Sequence, residues 1–267
     1  MVWRMRGLHS LIDLTGRHAL IAGGAGHIGL AVAEGLIELG ATVVVLDRGA
    51  GACEQAAASL GERAVPLQCD LTDEQETRAA VHEAARLVGG VDILVHTAAL
   101  VGSTVRTGWA VPFEEQTVEA WDEALRVNLT SAFILVQEAR DLLARSGNGS
   151  VVLFGSTYGL VGPDMSLYDG TTMANPMAYG ASKAGVLQLV RYLATVLAPR
   201  VRVNAVSPGG VERGQPAVFQ ERYVARTPLG RMATEEDIKG AVAYLASDLS
   251  AYVTGQNLVV DGGWTAW

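Results

Sequence analysis

Short apolar runs alternate along this chain with longer stretches in which apolar residues recur at helical spacing. The apolar runs predict strands at residues 19–22, 42–46, 64–68, 93–96, 151–154, 201–206 and 257–260. The stretches between them predict helices at residues 28–39, 52–60, 73–88, 117–143, 178–197 and 235–247. Strands that alternate with helices favour a parallel sheet covered on both faces. We therefore predict an α/β fold, a doubly wound parallel sheet, with residues 1–267 forming a single domain.

Local signals mark several helix ends. Gly40 ends the first predicted helix, and Thr72 precedes the third as a capping residue, with Gln75 completing a capping box. Thr234 has the same position before the last helix. The helix over residues 117–143 is unusually long, so it is expected to be either continuous or bent.

Glycines cluster where the first predicted strand meets the first predicted helix. Gly23, Gly26 and Gly29 surround His27 and Ile28. Glycine lets a backbone turn tightly and approach a pyrophosphate closely, and a helix N-terminus offers free N–H groups to that anion. The turn therefore predicts a dinucleotide site of the Rossmann type, in the crevice beyond the carboxyl ends of the strands.

Asp47 ends the second predicted strand, eighteen residues after Gly29. A carboxylate at this place accepts hydrogen bonds from the ribose hydroxyls of adenosine and repels a 2′-phosphate. Arg48 opposes this argument, because an arginine can pair with a phosphate. The two residues together predict NAD as the cofactor rather than NADP.

Composition and charge limit the kinds of molecule that this protein is expected to bind. The net charge is −8 and the pI about 5.1, without a basic run, which argues against nucleic acid. No stretch approaches the roughly 20 apolar residues of a membrane span, and residues 1–10 lack the apolar core of a signal peptide. Two cysteines, Cys53 and Cys69, are too few for a disulfide framework, and no pattern indicates a metal site. We expect a cytoplasmic protein with a small-molecule substrate and no metal.

Tyr179 and Lys183 lie four residues apart in a predicted helix and so share one face. A phenol has an ordinary pKa of about 10, which makes it a poor acid or base near neutral pH. A cation held beside it favours the phenolate and lowers that pKa. The pair is thus a candidate proton donor and acceptor, although this spacing also occurs on solvated helix faces.

Several short motifs extend the pattern along most of the chain. In order they are the glycine turn, Asp47, Asp70-Leu71, His96-Thr97-Ala98-Ala99, Asn128, Ser156, Tyr179-x-x-x-Lys183, Pro208-Gly209 and Asp261-Gly262-Gly263. From about Leu14 to Gly263, this order resembles the short-chain dehydrogenase/reductase family, in its short single-domain branch.

The resemblance implies specific roles. Tyr179 would be the general acid/base, and Lys183 would lower its pKa and hold the nicotinamide ribose. Ser156 would hydrogen-bond the substrate oxygen, and Asn128 would hold a water that connects Lys183 to solvent. The implied cofactor-binding residues are Gly23, Gly26, His27, Ile28, Gly29, Asp47, Arg48, Asp70, Leu71, Thr97, Ala98, Ala99, Tyr179, Lys183, Pro208, Gly209 and Val211.

The chain departs from the family pattern at three places. His27 stands where the glycine turn carries another glycine, and it is expected either to contact phosphate or to be a surface or capping imidazole. His96-Thr97-Ala98-Ala99 replaces the usual Asn-Asn-Ala-Gly. Arg213 replaces a threonine that contacts the nicotinamide carboxamide, so it is a candidate for an anionic substrate group.

Two segments are candidates for the substrate wall. Residues 160–177, here called the insertion, lengthen the chain between Ser156 and Tyr179 and carry many hydrogen-bonding side chains, which suits a polyhydroxylated ligand. The alternative is that the insertion only buttresses the subunit. Residues 212–226, here called the lid segment, match the family's mobile lid. Residues 1–13 form an N-terminal extension. Trp109, Phe113 and Trp121 are candidates for either pocket lining or packing.

The resulting functional prediction is an NAD(P)-dependent oxidoreductase, EC 1.1.1.-, acting on a hydroxyl/carbonyl pair of a sugar or other polar alcohol. The alternatives are an epimerase or dehydratase that uses bound NAD transiently, and a non-catalytic cofactor-sensing protein. The resemblance also implies a homodimer or homotetramer. The apolar residues 133–135, 186, 187, 189 and 190 are compatible with such an interface or with the core.

Overall fold

One parallel sheet organises the computed structural model, which describes residues 5–102 and 104–267. Within those residues its strands are β1 (His18–Ala22), β2 (Thr42–Asp47), β3 (Ala64–Gln68), β4 (Ile93–His96), β5 (Gly149–Phe154), β6 (Val201–Pro208) and β7 (Asn257–Val260). They pair in the order β3-β2-β1-β4-β5-β6-β7. Because the winding reverses between β1 and β4, their carboxyl ends open a crevice there. The predicted doubly wound sheet is confirmed.

Helices cover both faces of the sheet. They are α1 (Leu8–Ile12), α2 (His27–Glu38), α3 (Ala50–Leu60), α4 (Glu74–Val88), α5 (Val118–Leu125), α6 (Ser131–Arg145), α7 (Met177–Leu197), α8 (Ala217–Ala225) and α9 (Glu236–Ala246). The ends of the predicted strands and helices differ from these by two residues or fewer. Helix α1 lies in the N-terminal extension and α8 in the lid segment.

The long helix predicted over residues 117–143 contains a π-helical turn. This turn, Arg126–Thr130, joins α5 to α6 and includes Asn128. A π turn widens the helix by one residue and is found preferentially at functional sites. The sequence predicted the length of the helix but not this turn.

Both predicted side-chain caps are wrong in detail. Asp73, not Thr72, caps α4, and its carboxylate accepts from the Glu76 N–H rather than forming a box with Gln75. The residue before α9 is Glu235, whose side chain makes no cap. There the Asp237 carboxylate accepts from the N–H of Thr234, at 2.8 Å.

The core forms two apolar layers, because alternate strand residues point to opposite faces of the sheet. Leu20 and Leu94 face α4, α6 and α7, whereas Ile21 and Val95 face α2 and α9. Most of the apolar side chains named above for an oligomer interface belong to the core instead: Ile134, Leu135, Val186, Leu187 and Val190 are buried. The two exceptions are Leu189, which is half-buried against the core, and Phe133, which is 42% exposed.

Candidate active site

A cleft of about 440 Å³ opens where β4, β5 and β6 end. Thr97 and Ala99, which follow β4, line this cleft, and so does Ser156, which follows β5. Pro208 lines it from the end of β6, and Gly209 and Val211 line it from the segment that follows. Tyr179 and Lys183 reach it from α7, and Ile28 reaches it from α2. Half of the predicted site therefore converges on one cleft, as expected for the carboxyl edge of a doubly wound sheet.

Ser156 begins a tight turn against α7. Its Oγ accepts a hydrogen bond from the Tyr158 N–H at 3.2 Å, which leaves its own hydroxyl hydrogen free to be donated. A Cβ added to Gly159 would come within 2.8 Å of the Lys183 carbonyl carbon. The absence of a side chain at Gly159 thus lets the serine turn lie directly on the helix that carries Tyr179 and Lys183.

Lys183 is 2% exposed, and its Nζ donates to the Phe154 carbonyl at 2.8 Å. Its Nζ lies 5.7 Å from the centroid of the Tyr179 ring. Burial lowers the pKa of Lys183 from 10.5 to about 8. Tyr179 and Lys183 thus share one face as predicted.

The effect of this pair on the phenol is not the predicted one. Loss of hydration in the cleft raises the pKa of Tyr179 above its ordinary value, and a hydrogen bond with Ser156 and the charge of Arg213 only partly oppose the rise. The net pKa of Tyr179 is therefore raised rather than lowered, because desolvation of the phenol outweighs the opposing effects, and the lowering contribution of Lys183 stays a prediction. Tyr179 is therefore protonated at neutral pH.

Asn128 is fully buried and joins two walls of the cleft. Its Oδ1 accepts from the Leu100 N–H at 2.7 Å, and its Nδ2 donates to the Ser182 Oγ at 3.0 Å. Ser182 in turn donates to the Tyr179 carbonyl at 2.7 Å. The π turn thereby fixes the segment after β4 against α7, next to Lys183. The water between Asn128 and Lys183 stays a prediction.

The glycine turn is packed too tightly for side chains. Gly23 has a φ of +79°, and a Cβ there would come within 2.5 Å of the Ala98 nitrogen. A Cβ on Gly29 would come within 2.1 Å of the Gly23 carbonyl oxygen. The Thr97 hydroxyl completes this contact by donating to the Ala22 carbonyl at 2.9 Å. Positions 23 and 29 therefore require glycine.

This turn fits a pyrophosphate. Helix α2 has twelve residues and begins after Gly26, and no side chain of the described residues caps it. Its first N–H groups are consequently free, and the positive end of the helix dipole favours an anion. Asp47 lies beside the turn, where its carboxylate accepts from the Ala25 N–H at 3.3 Å and from the Arg48 N–H at 2.8 Å. These residues match the demands of a dinucleotide.

The remaining predicted cofactor residues lie away from the cleft. Arg48 is exposed, and the carboxylate of Asp70, also exposed, accepts from the Thr72 N–H at 2.9 Å. Leu71 is 6% exposed and belongs to the core. His27 is exposed on the first turn of α2, with its Nδ1 3.8 Å from the Glu235 carboxylate.

Arg213 lines the cleft, with its Nε 3.5 Å from the same carboxylate of Glu235. The three candidate aromatic residues are not part of this cleft. Trp109 is buried in a separate cluster with Trp121, and both line a small neighbouring groove with Phe113. The packing interpretation fits Trp109 and Trp121, whereas Phe113 is 70% exposed and belongs to neither the cleft nor the core.

His96 is 1% exposed, with its Nε2 2.7 Å from the Ser131 hydroxyl oxygen. Burial lowers its pKa to about 3, with a smaller contribution from the charge of Lys183, so the imidazole is neutral. This histidine holds the end of β4 against the start of α6.

The insertion and the lid segment form the far wall of the cleft, as predicted, although Tyr158, which also lines it, lies outside both segments and was not assigned a role there. Tyr158, Tyr168, Asn175, Phe219 and Tyr223 line it. Their signal in the sequence is the polar and aromatic content of the insertion and of the lid segment. The two segments meet in the structure, since Arg222 donates to the carbonyls of Ser166 and Asp169 at 3.0 and 2.6 Å.

The fold and the cleft define a dinucleotide-binding α/β protein with a serine, a tyrosine and a lysine at the cofactor crevice. A family profile described as enoyl-(acyl carrier protein) reductase matches residues 23–265. The chain is 37% identical to a cis-4-hydroxycyclohexanecarboxylate dehydrogenase of Sinomonas cyclohexanicum, over 94% of this chain and 97% of the relative. It is 35% identical to a probable galactose dehydrogenase of Rhizobium meliloti strain 1021, over 94% and 96%.

Among solved structures, a short-chain dehydrogenase from Leptospira borgpetersenii with bound NAD⁺ superposes with a TM-score of 0.85 at 33% identity. That comparison covers 99% of this chain and 98% of the other. The chain belongs to the short-chain dehydrogenase/reductase family. None of the helices in the described residues is long and apolar enough to cross a membrane.

Proposed function

We propose that this protein is an NAD-dependent dehydrogenase or reductase, EC 1.1.1.-, that acts on the hydroxyl or carbonyl group of a small, polar ring alcohol. The observation that carries the proposal is the convergence of Ser156, Tyr179 and Lys183 on one cleft at the crevice of the sheet. The sugar and hydroxy-acid names of the similar proteins support a polar ring substrate.

Tyr179 would exchange the proton with the substrate oxygen. Its raised pKa keeps the phenol protonated at neutral pH, so it can donate to a carbonyl oxygen during reduction. Ser156 would donate its hydroxyl hydrogen to the same substrate oxygen in place of Tyr179. In the oxidation direction, the charge of Lys183 would stabilise the phenolate. Asn128 would hold the helix that carries both groups in place.

Bound nicotinamide would supply the hydride exchange with the substrate carbon. The turn at Gly23, Gly26, Ile28 and Gly29 would bind the pyrophosphate. Asp47 would accept hydrogen bonds from the adenosine ribose and disfavour a 2′-phosphate, which supports NAD over NADP. The nicotinamide side of the cleft would be formed by Thr97, Ala98, Ala99, Pro208, Gly209 and Val211.

We also propose that the protein is a homodimer or homotetramer in the cytoplasm. Phe133, Tyr192 and Val196 leave apolar surface exposed on α6 and α7, and strand β7 exposes Leu258 and Val259 at the sheet edge. Light scattering coupled to size exclusion tests this: a mass that corresponds to one chain at micromolar concentration contradicts it.

A substrate screen tests the reaction. Wild-type protein is mixed with NAD⁺ or NADP⁺ and a panel of sugars, cyclohexanols and hydroxycyclohexanecarboxylates, and reduced cofactor is followed at its absorbance band. A dehydrogenase gives a net absorbance change during turnover. An epimerase or dehydratase consumes substrate without that change, and a non-catalytic sensor binds the cofactor and consumes nothing. Either of the last two results contradicts the proposal.

A further inference from the structure

Two tyrosines form a hydrogen-bonded pair on the far wall of the cleft. The hydroxyl oxygens of Tyr158 and Tyr168 lie 2.9 Å apart. Tyr158 follows Ser156 in the turn after β5, and Tyr168 comes from the insertion. A charge on Tyr179 would raise the pKa of both phenols, so the pair lies near the proposed acid/base. Burial is the largest cause of their raised pKa values, and both remain protonated donors at neutral pH.

This wall holds hydrogen-bond donors that have no acceptor among the described residues. The two phenols have two hydrogens, and the bond between them uses one, which leaves one hydroxyl hydrogen unassigned. Asn175 lies beside Tyr168 and partly opposes the rise in its pKa. The Asn175 Nδ2 is nevertheless shielded from solvent without a hydrogen-bond partner of acceptable geometry among the described residues. An unsatisfied buried donor is unfavourable, and an added acceptor oxygen would satisfy it.

The surroundings of these donors are apolar and flat. Phe219 and Tyr223 of α8 line the same cleft, together with Met173 and Met232. The ring of Tyr168 lies 5.4 Å from that of Phe219, measured between centroids. Apolar side walls with a few convergent polar groups are typical of sites for small organic ligands. Aromatic and thioether side chains of this kind suit the faces of a carbon ring.

We propose that Tyr158, Tyr168 and Asn175 form a subsite for a second oxygen of the substrate. This oxygen is a hydroxyl or carboxylate oxygen on the same ring as the reacting hydroxyl group. The Asn175 amide turns toward the cleft to reach it. The subsite rests on the proposed function, since Ser156 and Tyr179 define where the reacting oxygen lies, and it makes the insertion a determinant of substrate specificity.

The test compares ring alcohols that differ only in the second oxygen. The probes are cyclohexanol, the cyclohexanediols and 4-hydroxycyclohexanecarboxylate. The variants are Asn175→Asp, which replaces the amide donor by a carboxylate of the same shape, and Tyr168→Phe, which removes one hydroxyl. Tyr252→Phe, at a fully exposed tyrosine outside the cleft and the proposed interface, is the matched control.

We expect Asn175→Asp to lower the ratio of kcat/KM for 4-hydroxycyclohexanecarboxylate to that for cyclohexanol at least tenfold, because two carboxylates then face each other. The ratio for the diols should fall less, because a hydroxyl group can donate to the new carboxylate. Tyr168→Phe should lower the same ratios, chiefly through KM. The Tyr252→Phe ratios should equal those of the wild type. Ratios that stay within twofold of wild type in both subsite variants overturn the subsite.

Calorimetric binding of 4-hydroxycyclohexanecarboxylate and a diol separates the subsite from the proposed reaction. Wild-type binding that Asn175→Asp weakens tenfold, without any turnover, supports the subsite and refutes the dehydrogenase assignment. Turnover with unaltered ratios refutes the subsite alone. Wild-type protein that neither binds nor converts any probe with a second oxygen refutes both.

Discussion

Replacing Lys183 by methionine is expected to stabilise the fold at neutral pH. The side chain keeps its length but loses a charge that is 2% exposed. The pKa of Lys183 falls from its ordinary value of 10.5 to about 8 in the folded protein. Keeping the side chain charged inside the fold therefore costs about 3 kcal/mol at pH 7. Loss of the hydrogen bond to the Phe154 carbonyl offsets roughly 1 to 2 kcal/mol of the gain. The variant should therefore be more stable than wild type by about 1 to 2 kcal/mol, while its activity falls.

The sign of the pH dependence follows from the lowered pKa. Below pH 8 the ammonium is charged in both the folded and the unfolded protein, so its full cost is present. Between pH 8 and 10.5 the folded protein has lost a proton that the unfolded chain keeps, and wild-type stability rises with pH. The advantage of Lys183→Met should therefore shrink by about 2 to 3 kcal/mol between pH 7 and pH 10.

Urea unfolding of wild type and Lys183→Met at pH 7, 8, 9 and 10 measures both the gain in stability at pH 7 and its decrease toward pH 10. The difference between the two proteins cancels the titration of other groups. Lys239→Met is the matched control, because the Lys239 ammonium pairs with Glu34 and its pKa is raised. The free energy of unfolding of Lys239→Met should differ from that of the wild type by the same amount at every pH from 7 to 10. A Lys183→Met protein that is less stable at pH 7, by an amount that does not vary with pH, would refute the reasoning.

Three further substitutions test the cofactor turn, the cofactor preference and the contact over the cleft. Gly29→Ala should lower the free energy of unfolding by more than about 2 kcal/mol, and it should weaken NADH binding measured by fluorescence. The control is Gly51→Ala, at an open helical position, which should not lower the free energy of unfolding. Asp47→Asn should raise the ratio of kcat/KM for NADPH to that for NADH about tenfold; an unchanged ratio would show that this carboxylate does not select the cofactor. Arg222→Met should accelerate amide hydrogen exchange in α8, because two contacts with the insertion are lost; protection equal to wild type would contradict a role of those contacts.

Sequence patterns were sufficient where the physics is local. Buried strands such as β2 are unbroken β-branched runs, so their ends were predicted within two residues. The glycine turn was recognised because Gly23 and Gly29 tolerate no Cβ, a requirement of the backbone that leaves a direct trace in the sequence. The sequence did not decide which residue caps α4, since Thr72 and Asp73 are adjacent and the side chain of either can accept a hydrogen bond from a backbone N–H.

Features that depend on distant packing could not be predicted in this way. The pairing of Tyr158 with Tyr168 depends on where the insertion folds back, and Arg222 holds that fold from α8. The spacing of Tyr179 and Lys183 predicted a shared face, but the direction of the phenol's pKa depends on hydration in the assembled cleft. Asn128 was assigned a role without its partners, because the π turn that directs it to Leu100 and Ser182 has no sequence signature.

The most direct measurement of the central claim is the turnover of Tyr179→Phe. With the best ring alcohol from the screen and NAD⁺, loss of the phenolic hydroxyl should lower kcat at least a hundredfold, the usual contribution of a positioned acid/base. Tyr252→Phe, at a fully exposed tyrosine outside the cleft, should retain the wild-type kcat. A Tyr179→Phe enzyme that forms NADH within a few-fold of the wild-type rate would contradict the assignment of this phenol as the proton donor and acceptor.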